Sequence, residues 1–284
     1  MKEIVKIIIL IIISYIIAMA GSFEGYEIDG RPIIFNCLLI AFGIQYLIFI
    51  PSYIFKTERF FDLTGSMTFL SIMSYILYNR DIGDLNYSGL LLILFISLWT
   101  LRLGLFLFFR IRKDEKDRRF DEIKTNFFKF MLTWTLQGSW VFITACCAIA
   151  ALSSNVINDN FLFIVIGGFF WILGFVLEVI SDMQKRKFKK NNKNGFITSG
   201  LWSYSRHPNY LGEIILWFGI CLISIPSIQG MQYATLISPI FVYLLLTHIS
   251  GINLLETYSD RKWGTLESYQ QYKQSTPILF PFFK

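Results

Sequence analysis

Eight long apolar stretches, at about residues 4–20, 33–55, 63–78, 87–109, 130–152, 161–180, 210–228 and 234–252, constrain this chain more than any other feature. Each is near the roughly 20 residues a helix needs to cross the hydrocarbon core of a bilayer. The runs are continuous rather than alternating, so strands are disfavoured, and in lipid only helices and closed barrels satisfy their own backbone. The expected fold is therefore all-α, a polytopic membrane bundle of seven or eight transmembrane helices. Composition agrees: hydrophobic residues make up 54% of the chain and charged residues 16%. A soluble domain, a disordered chain and a coiled coil all need more charge than that. The first stretch, behind Lys2, Glu3 and Lys6, is long for a signal peptide and shows no clear small-x-small site, so it is expected to stay as a helix.

The connections alternate in charge. Residues 110–129 hold eight Lys or Arg against five acids, and 182–209 seven against one, whereas 21–32, 79–86, 153–160 and 224–232 are neutral or acidic. Positive connections stay cytoplasmic, so both termini and both basic connections are expected on the cytoplasmic side. Topology alone can account for that basicity, and no nucleic-acid partner is expected. Cys37, Cys146, Cys147 and Cys221 lie in or beside apolar stretches, and His207 and His248 are the two histidines. That inventory assembles neither a disulfide framework nor a metal site.

Ionisable groups inside apolar helices cost roughly 2.5–3.5 kcal/mol each on insertion scales, so they need a partner or a task. Here they are Arg102, Glu178, Asp182 and Glu213. Glu178 and Asp182 are one helical turn apart and share a face. A buried Arg-to-acid pair that only fixes helix register is the structural alternative.

The densest signal is Ser199-Gly200-Leu201-Trp202-Ser203-Tyr204-Ser205-Arg206-His207-Pro208-Asn209-Tyr210-Leu211-Gly212-Glu213. His207 before proline favours extended backbone, and Pro208 suits the first position of a helix. Free amides and the positive end of that helix would then lie beside Arg206, an arrangement that holds a phosphate. Asn209, Glu213 and Trp217 form one stripe, bordered by Tyr210, where a flat amide-bearing or ribosyl ligand finds hydrogen-bonding partners. The tail from Glu256 is too polar to span a membrane and too aromatic to be disordered. Its Arg261, Tyr269 and Tyr272 could close over a nucleotide, or the tail could simply lie on the membrane surface.

At these residues the chain resembles the steroid 5α-reductase-like integral membrane reductases, and within them a bacterial branch described as a domain of unknown function. The matching pieces are Phe61-Asp62-Leu63-Thr64-Gly65-Ser66, Trp99-Thr100-Leu101-Arg102-Leu103-Gly104, Gln137-Gly138, Ser181-Asp182-Met183-Gln184-Lys185, the Ser199 to Glu213 run, and Glu256 with Tyr269, Tyr272 and Pro281. The resemblance implies N-terminal helices over residues 1–56 and a catalytic part over 57–284. It implies an enzyme that binds NADPH from the cytoplasmic side and reduces a carbon–carbon double bond conjugated to a carbonyl, in a hydrophobic, lipid-like substrate.

By the same resemblance, Asp182, with Glu178 a turn before it, is the acidic cofactor residue. Arg186 and Lys189 meet the cofactor phosphates, with Arg206 and His207 following, and Asn209, Tyr210 and Glu213 lie near the nicotinamide. Arg261, Tyr269 and Tyr272 complete the cofactor set. The steroid-reducing members polarise the enone with a Glu and Tyr pair. Here Asp62 and Arg102, with Tyr210, are the catalytic candidates by chemistry, and Tyr53 and Tyr75 also qualify, because an enolate needs a proton donor or a cation. A neighbouring family shares the Arg-His-Pro-x-Tyr helix start: integral membrane methyltransferases that use S-adenosylmethionine on prenylcysteine or phospholipid amines. The long basic stretch favours NADPH, since S-adenosylmethionine carries no phosphate. A transporter would line a path across the bilayer with its polar residues, whereas these cluster at one face.

Overall fold

Inside lipid a backbone must close its own hydrogen bonds, and in the computed structural model each apolar stretch does so as a helix. Residues 2–80, 85–114, 120–156, 158–192 and 194–281 are described, 108–114 for their backbone alone. The helices are α1 (Lys2–Gly21), α2 (Ile33–Ile54), α3 (Phe61–Asn79), α4 (Tyr87–Asp114), α5 (Phe127–Ser153), α6 (Phe161–Asn191), α7 (Pro208–Ser224), α8 (Ile237–Leu244), α9 (Ile252–Trp263) and α10 (Glu267–Ser275). Among the described residues the strands β1 (Glu27–Ile28) and β2 (Arg31–Pro32) form one short hairpin between α1 and α2.

Among the described residues seven segments are long and apolar enough to cross a membrane, and the chain is an integral membrane protein. The remaining stretch, α3, forms a helix of 19 residues but is less apolar. Its buried face carries Thr64, Gly65, Ser66 and Thr68. The Thr64 and Thr68 hydroxyls donate at 2.7 Å to the carbonyls of Phe60 and Thr64, which keeps them satisfied without water. Of the basic connections, residues 115–119 and 193 lie outside the described residues. Much of the second, expected as a loop from residue 182, is helix instead. Met183 to Lys190 holds no proline or glycine and several good helix formers, so α6 continues past its apolar part to Asn191.

The chain packs as two units, Met1–Ile164 with Ile223–Ser238, and Val165–Leu222 with Pro239–Lys284. In the first, α5 is the central element, and nearly all of it from Gln137 to Ala150 is buried. Asp159 caps α4, accepting from the N–H groups of Tyr87 at 3.0 Å and Ser88 at 2.9 Å. In the second unit, α6 and α7 run antiparallel in close contact. A Cβ on Gly212 would lie 2.6 Å from the Gly174 carbonyl oxygen, and one on Gly219 would lie 2.5 Å from that of Gly167. Paired small residues let two membrane helices approach this closely. Leu211, Ile252 and Leu279 form the core beneath the start of α7, with Tyr210, Ile214 and Tyr243 packed around them.

Candidate functional site at the start of α7

α7 begins at Pro208, as the sequence predicts. The approach to it is held by the tail: Arg206 N–H donates to Pro277 O at 2.9 Å, and the Ser205 hydroxyl donates to Ile278 O at 3.4 Å and accepts from His207 N–H at 3.2 Å. The first helical bond runs from Leu211 N–H to His207 O, 3.1 Å. The N–H groups of Asn209 and Tyr210 precede it, at the positive end of the helix.

Arg206 and His207 are buried, and one carboxylate joins them. Glu256, on α9, accepts from Arg206 Nη1 on Oε2 and meets His207 Nε2 on Oε1 at 2.8 Å. Lys273 stands 4.0 Å from Glu256 and 2.7 Å from Asp260, which also accepts from the Tyr269 hydroxyl at 3.2 Å. Burial lowers the pKa of His207, against the opposing pull of the Glu256 hydrogen bond. A neutral ring that donates from Nε2 to Glu256 leaves Nδ1 as an acceptor. Among the described residues His207 Nδ1, Arg206 Nε and Asn209 Oδ1 are buried atoms with no hydrogen-bond partner. An acceptor, a donor and a second acceptor thus stand within four residues of a helix N-terminus. Buried polar atoms are normally paired, so this arrangement fits a polar ligand that brings donors to the two acceptors and an anionic oxygen to Arg206 Nε and the free amides. The Tyr210 ring stacks on His207, centroids 5.8 Å apart.

α6 supplies the neighbouring wall. Glu178 and Asp182 are buried on it, and Gly212 sits against the Glu178 backbone. On either side of Asp182 the helix clasps the loop before α7: Gln184 Oε1 accepts from Leu201 N–H at 2.9 Å, and Trp202 Nε1 donates to Ser181 O at 3.1 Å. Gly200 makes this turn at φ +66°, with the Gln184 amide 2.7 Å from where a Cβ would be. Lys185 Nζ lies 4.5 Å over the Trp202 ring. Arg186 and Lys189 are exposed on the helical extension, and Arg261 is exposed at the end of α9.

The aromatic tail is folded. Phe196 is ringed by Trp263, Tyr269 and Tyr272 at 5.7, 5.1 and 6.0 Å, and the Tyr272 hydroxyl donates to Trp202 O at 2.6 Å. Burial, with Glu256 and Asp260 nearby, pushes the Tyr269 pKa up to about 12, so its phenol stays a donor. Burial also raises Tyr272. Beside them an open groove of about 450 Å³ is lined by hydroxyls, among them Thr198, Ser203, Ser275 and Thr276.

Asp62 and Arg102 belong to the other unit. Asp62 is half-buried near the start of α3, and Arg102 lies on α4 with its guanidinium 5.4 Å over the Phe106 ring. In that unit Tyr53 stacks on Phe49 at 5.9 Å, and Tyr75 accepts from Asn36 at 2.7 Å. The residue that sequence reasoning left out of the site is Glu256. Glu256 is one of the pieces that carry the family resemblance, but its partners lie about fifty residues earlier, so local pattern does not join it to the site.

The family described as "Protein of unknown function (DUF1295)" matches residues 48–276. Among curated proteins, the chain is 32% identical over 129 residues to the probable O-methyltransferase ustE of Ustilaginoidea virens, covering 38% of this chain and 45% of that one. It is 28% identical over 118 residues to 3-oxo-5-alpha-steroid 4-dehydrogenase 1 of Bos taurus, covering 41% and 40%. It is 29% identical over 119 residues to 3-oxo-5-alpha-steroid 4-dehydrogenase 2 of Mus musculus, covering 41% of each. The chain spans less than half the length of these relatives. No solved structure matches it.

Proposed function

The chain belongs to the DUF1295 family, and we propose that it is a membrane-embedded, NADPH-dependent oxidoreductase acting on CH–CH groups. Its substrate would be a lipid-like molecule, steroid, prenyl or acyl, with a carbon–carbon double bond conjugated to a carbonyl. The observation that carries this reading is the start of α7, where Arg206, His207 and Asn209 leave buried polar atoms unpartnered at a helix N-terminus. The relatives whose names state a steroid dehydrogenase support the substrate class.

In this reading residues 57–284 form the catalytic part. Arg186 and Lys189 hold the 2′-phosphate, Arg206 and the α7 N-terminus hold the pyrophosphate, and His207 accepts on Nδ1 from a hydroxyl or amide of the cofactor. Asn209, Tyr210 and Glu213 orient the nicotinamide, while Glu178 and Asp182 take ribose or amide donors. Arg261, Tyr269 and Tyr272 close the tail over the nucleotide. Bound NADPH supplies the hydride. Of the catalytic candidates, Tyr210 delivers the proton, and Asp62 and Arg102 are proposed as catalytic on their chemistry alone. Both termini and the cofactor site face the cytoplasm, following the positive connections.

A second reading, an S-adenosylmethionine-dependent methyltransferase of the prenylcysteine or phospholipid type, draws on the relative named as a probable O-methyltransferase. The two separate on cofactor charge. Calorimetric titration of the purified protein with NADPH, NADH and S-adenosylmethionine is the test. We expect NADPH to bind more tightly than NADH, charge removal at Arg186 and Lys189 to erase mainly that preference, and Glu213→Ala to abolish binding while the protein still inserts. Equal affinity for both dinucleotides with tight S-adenosylmethionine binding would replace the reductase with the methyltransferase.

A further inference from the structure

The hairpin between α1 and α2 turns through Asp29 and Gly30, at φ +50° and +73°, with Ile28 paired to Arg31. Two consecutive positive φ values give the tight two-residue turn whose twist suits a hairpin. The hairpin is tied down within the first unit. Tyr26 N–H donates to Ser153 O at 2.6 Å, and Asn155 Nδ2 donates to Glu24 O at 3.0 Å. Buried Arg80 donates to Ser154 O at 3.1 Å with its guanidinium 4.8 Å over the Tyr26 ring. Asp29 and Arg31 are exposed on a braced support, not on a loose loop.

Between this hairpin, α2 and α3 lies an open groove of about 530 Å³, lined by Asp29, Arg31, Asn36, Leu39, Ile40 and Tyr75, with Ile28. Asn36 Nδ2 donates to the Tyr75 hydroxyl oxygen at 2.7 Å, which leaves the phenol proton to donate. Leu39 is 61% exposed on a membrane-spanning helix, so that wall faces lipid. A pair of opposite charges therefore sits at the edge of the span, an amide and a hydroxyl next, and an aliphatic wall along the first turns of α2. Asp29 repels a lone anion and Arg31 a lone cation, whereas a head carrying both charges satisfies both.

We infer that this groove binds a zwitterionic phospholipid of the surrounding bilayer. Arg31 takes the phosphate, Asp29 takes the ammonium, Tyr75 donates to an ester oxygen, and an acyl chain runs along Leu39 and Ile40. The site is independent of the reductase reading and shares no residue with the start of α7.

The test is native mass spectrometry of the full chain in nanodiscs holding equal amounts of phosphatidylethanolamine and phosphatidylglycerol, followed by detergent release. Wild type is expected to keep phosphatidylethanolamine. Arg31→Gln and Tyr75→Phe are each expected to keep about three- to tenfold less, the worth of one lost hydrogen bond or ion pair. Leu39→Trp, which fills the groove and spares its polar groups, is expected to lose the lipid too. Tyr78→Phe, on a side chain 88% exposed and outside the groove, is expected to behave as wild type. Circular dichroism of each variant confirms that the helices are retained. Undiminished retention in Arg31→Gln, Tyr75→Phe and Leu39→Trp, or phosphatidylglycerol kept as well as phosphatidylethanolamine, would overturn the assignment. So would soluble phosphoethanolamine displacing the lipid at comparable concentration, because the aliphatic wall would then contribute nothing.

Discussion

Glu256→Ala removes in one step both oxygens that hold Arg206 and His207. Each lost contact is a hydrogen bond to a charged group, about 1.5–3 kcal/mol. Two considerations pull the sum in opposite directions. The Glu256 side chain is 19% exposed and Lys273 lies 4.0 Å away, so solvent and a second cation already screen it. Arg206 and His207 are only 9% and 7% exposed, so neither regains water without movement of the tail, and removing one member of a buried pair is costly for that reason. We expect a loss of about 3 kcal/mol, a fall in melting temperature of roughly 5 °C for a chain of this size. Thermal unfolding in detergent measures the first effect. A double-mutant cycle with Arg206→Met measures the coupling, expected at about 1 kcal/mol or more. Melting within about 1 °C of wild type, or additivity within about 0.5 kcal/mol, would refute the view that Glu256 braces the start of α7.

The acid limb of stability should carry the signature of His207. Its native pKa lies below the ordinary value of about 6.5. As pH falls through that value, the unfolded chain takes up a proton that the native ring refuses, so the stabilisation is complete above about 6.5 and is lost on acidification until the native ring is protonated too. Melting followed downward from about pH 8 should fall more steeply in wild type than in His207→Asn, and equal slopes would assign the acid sensitivity elsewhere. Gly212→Ala puts a Cβ 2.6 Å from Gly174 O and 2.7 Å from Glu178 N, both backbone atoms, so α6 and α7 must part. A loss of about 1–3 kcal/mol is expected, against none for Gly43→Ala, where nothing lies within 4 Å; equal melting of the two would sink this account.

What could be read directly from the residues was whatever one helix encodes by itself. The apolar stretches fixed the spans to within a few residues at most ends, because lipid leaves a backbone no alternative to the helix, and Pro208 fixed where α7 begins. The shared face of Glu178 and Asp182 followed from helical spacing alone, and both are buried. Apolarity marks where lipid stops, not where a helix stops, so α6 runs on past Ile180 through lysine-rich turns that remain good helix formers. α3 is a helix of the expected length, and the hydroxyls of Thr64 and Thr68 are satisfied by carbonyls one turn back in the same helix, so this too is local.

The tertiary structure alone decided who partners whom. Glu256 could not be assigned to Arg206 and His207 from a separation of about fifty residues, nor could Asp29 and Arg31 be seen to share a groove with Tyr75 on α3. A helix carries its own hydrogen-bonding rule in every four residues of sequence. A contact between helices depends on how whole faces pack, and that information is spread over residues no local pattern connects.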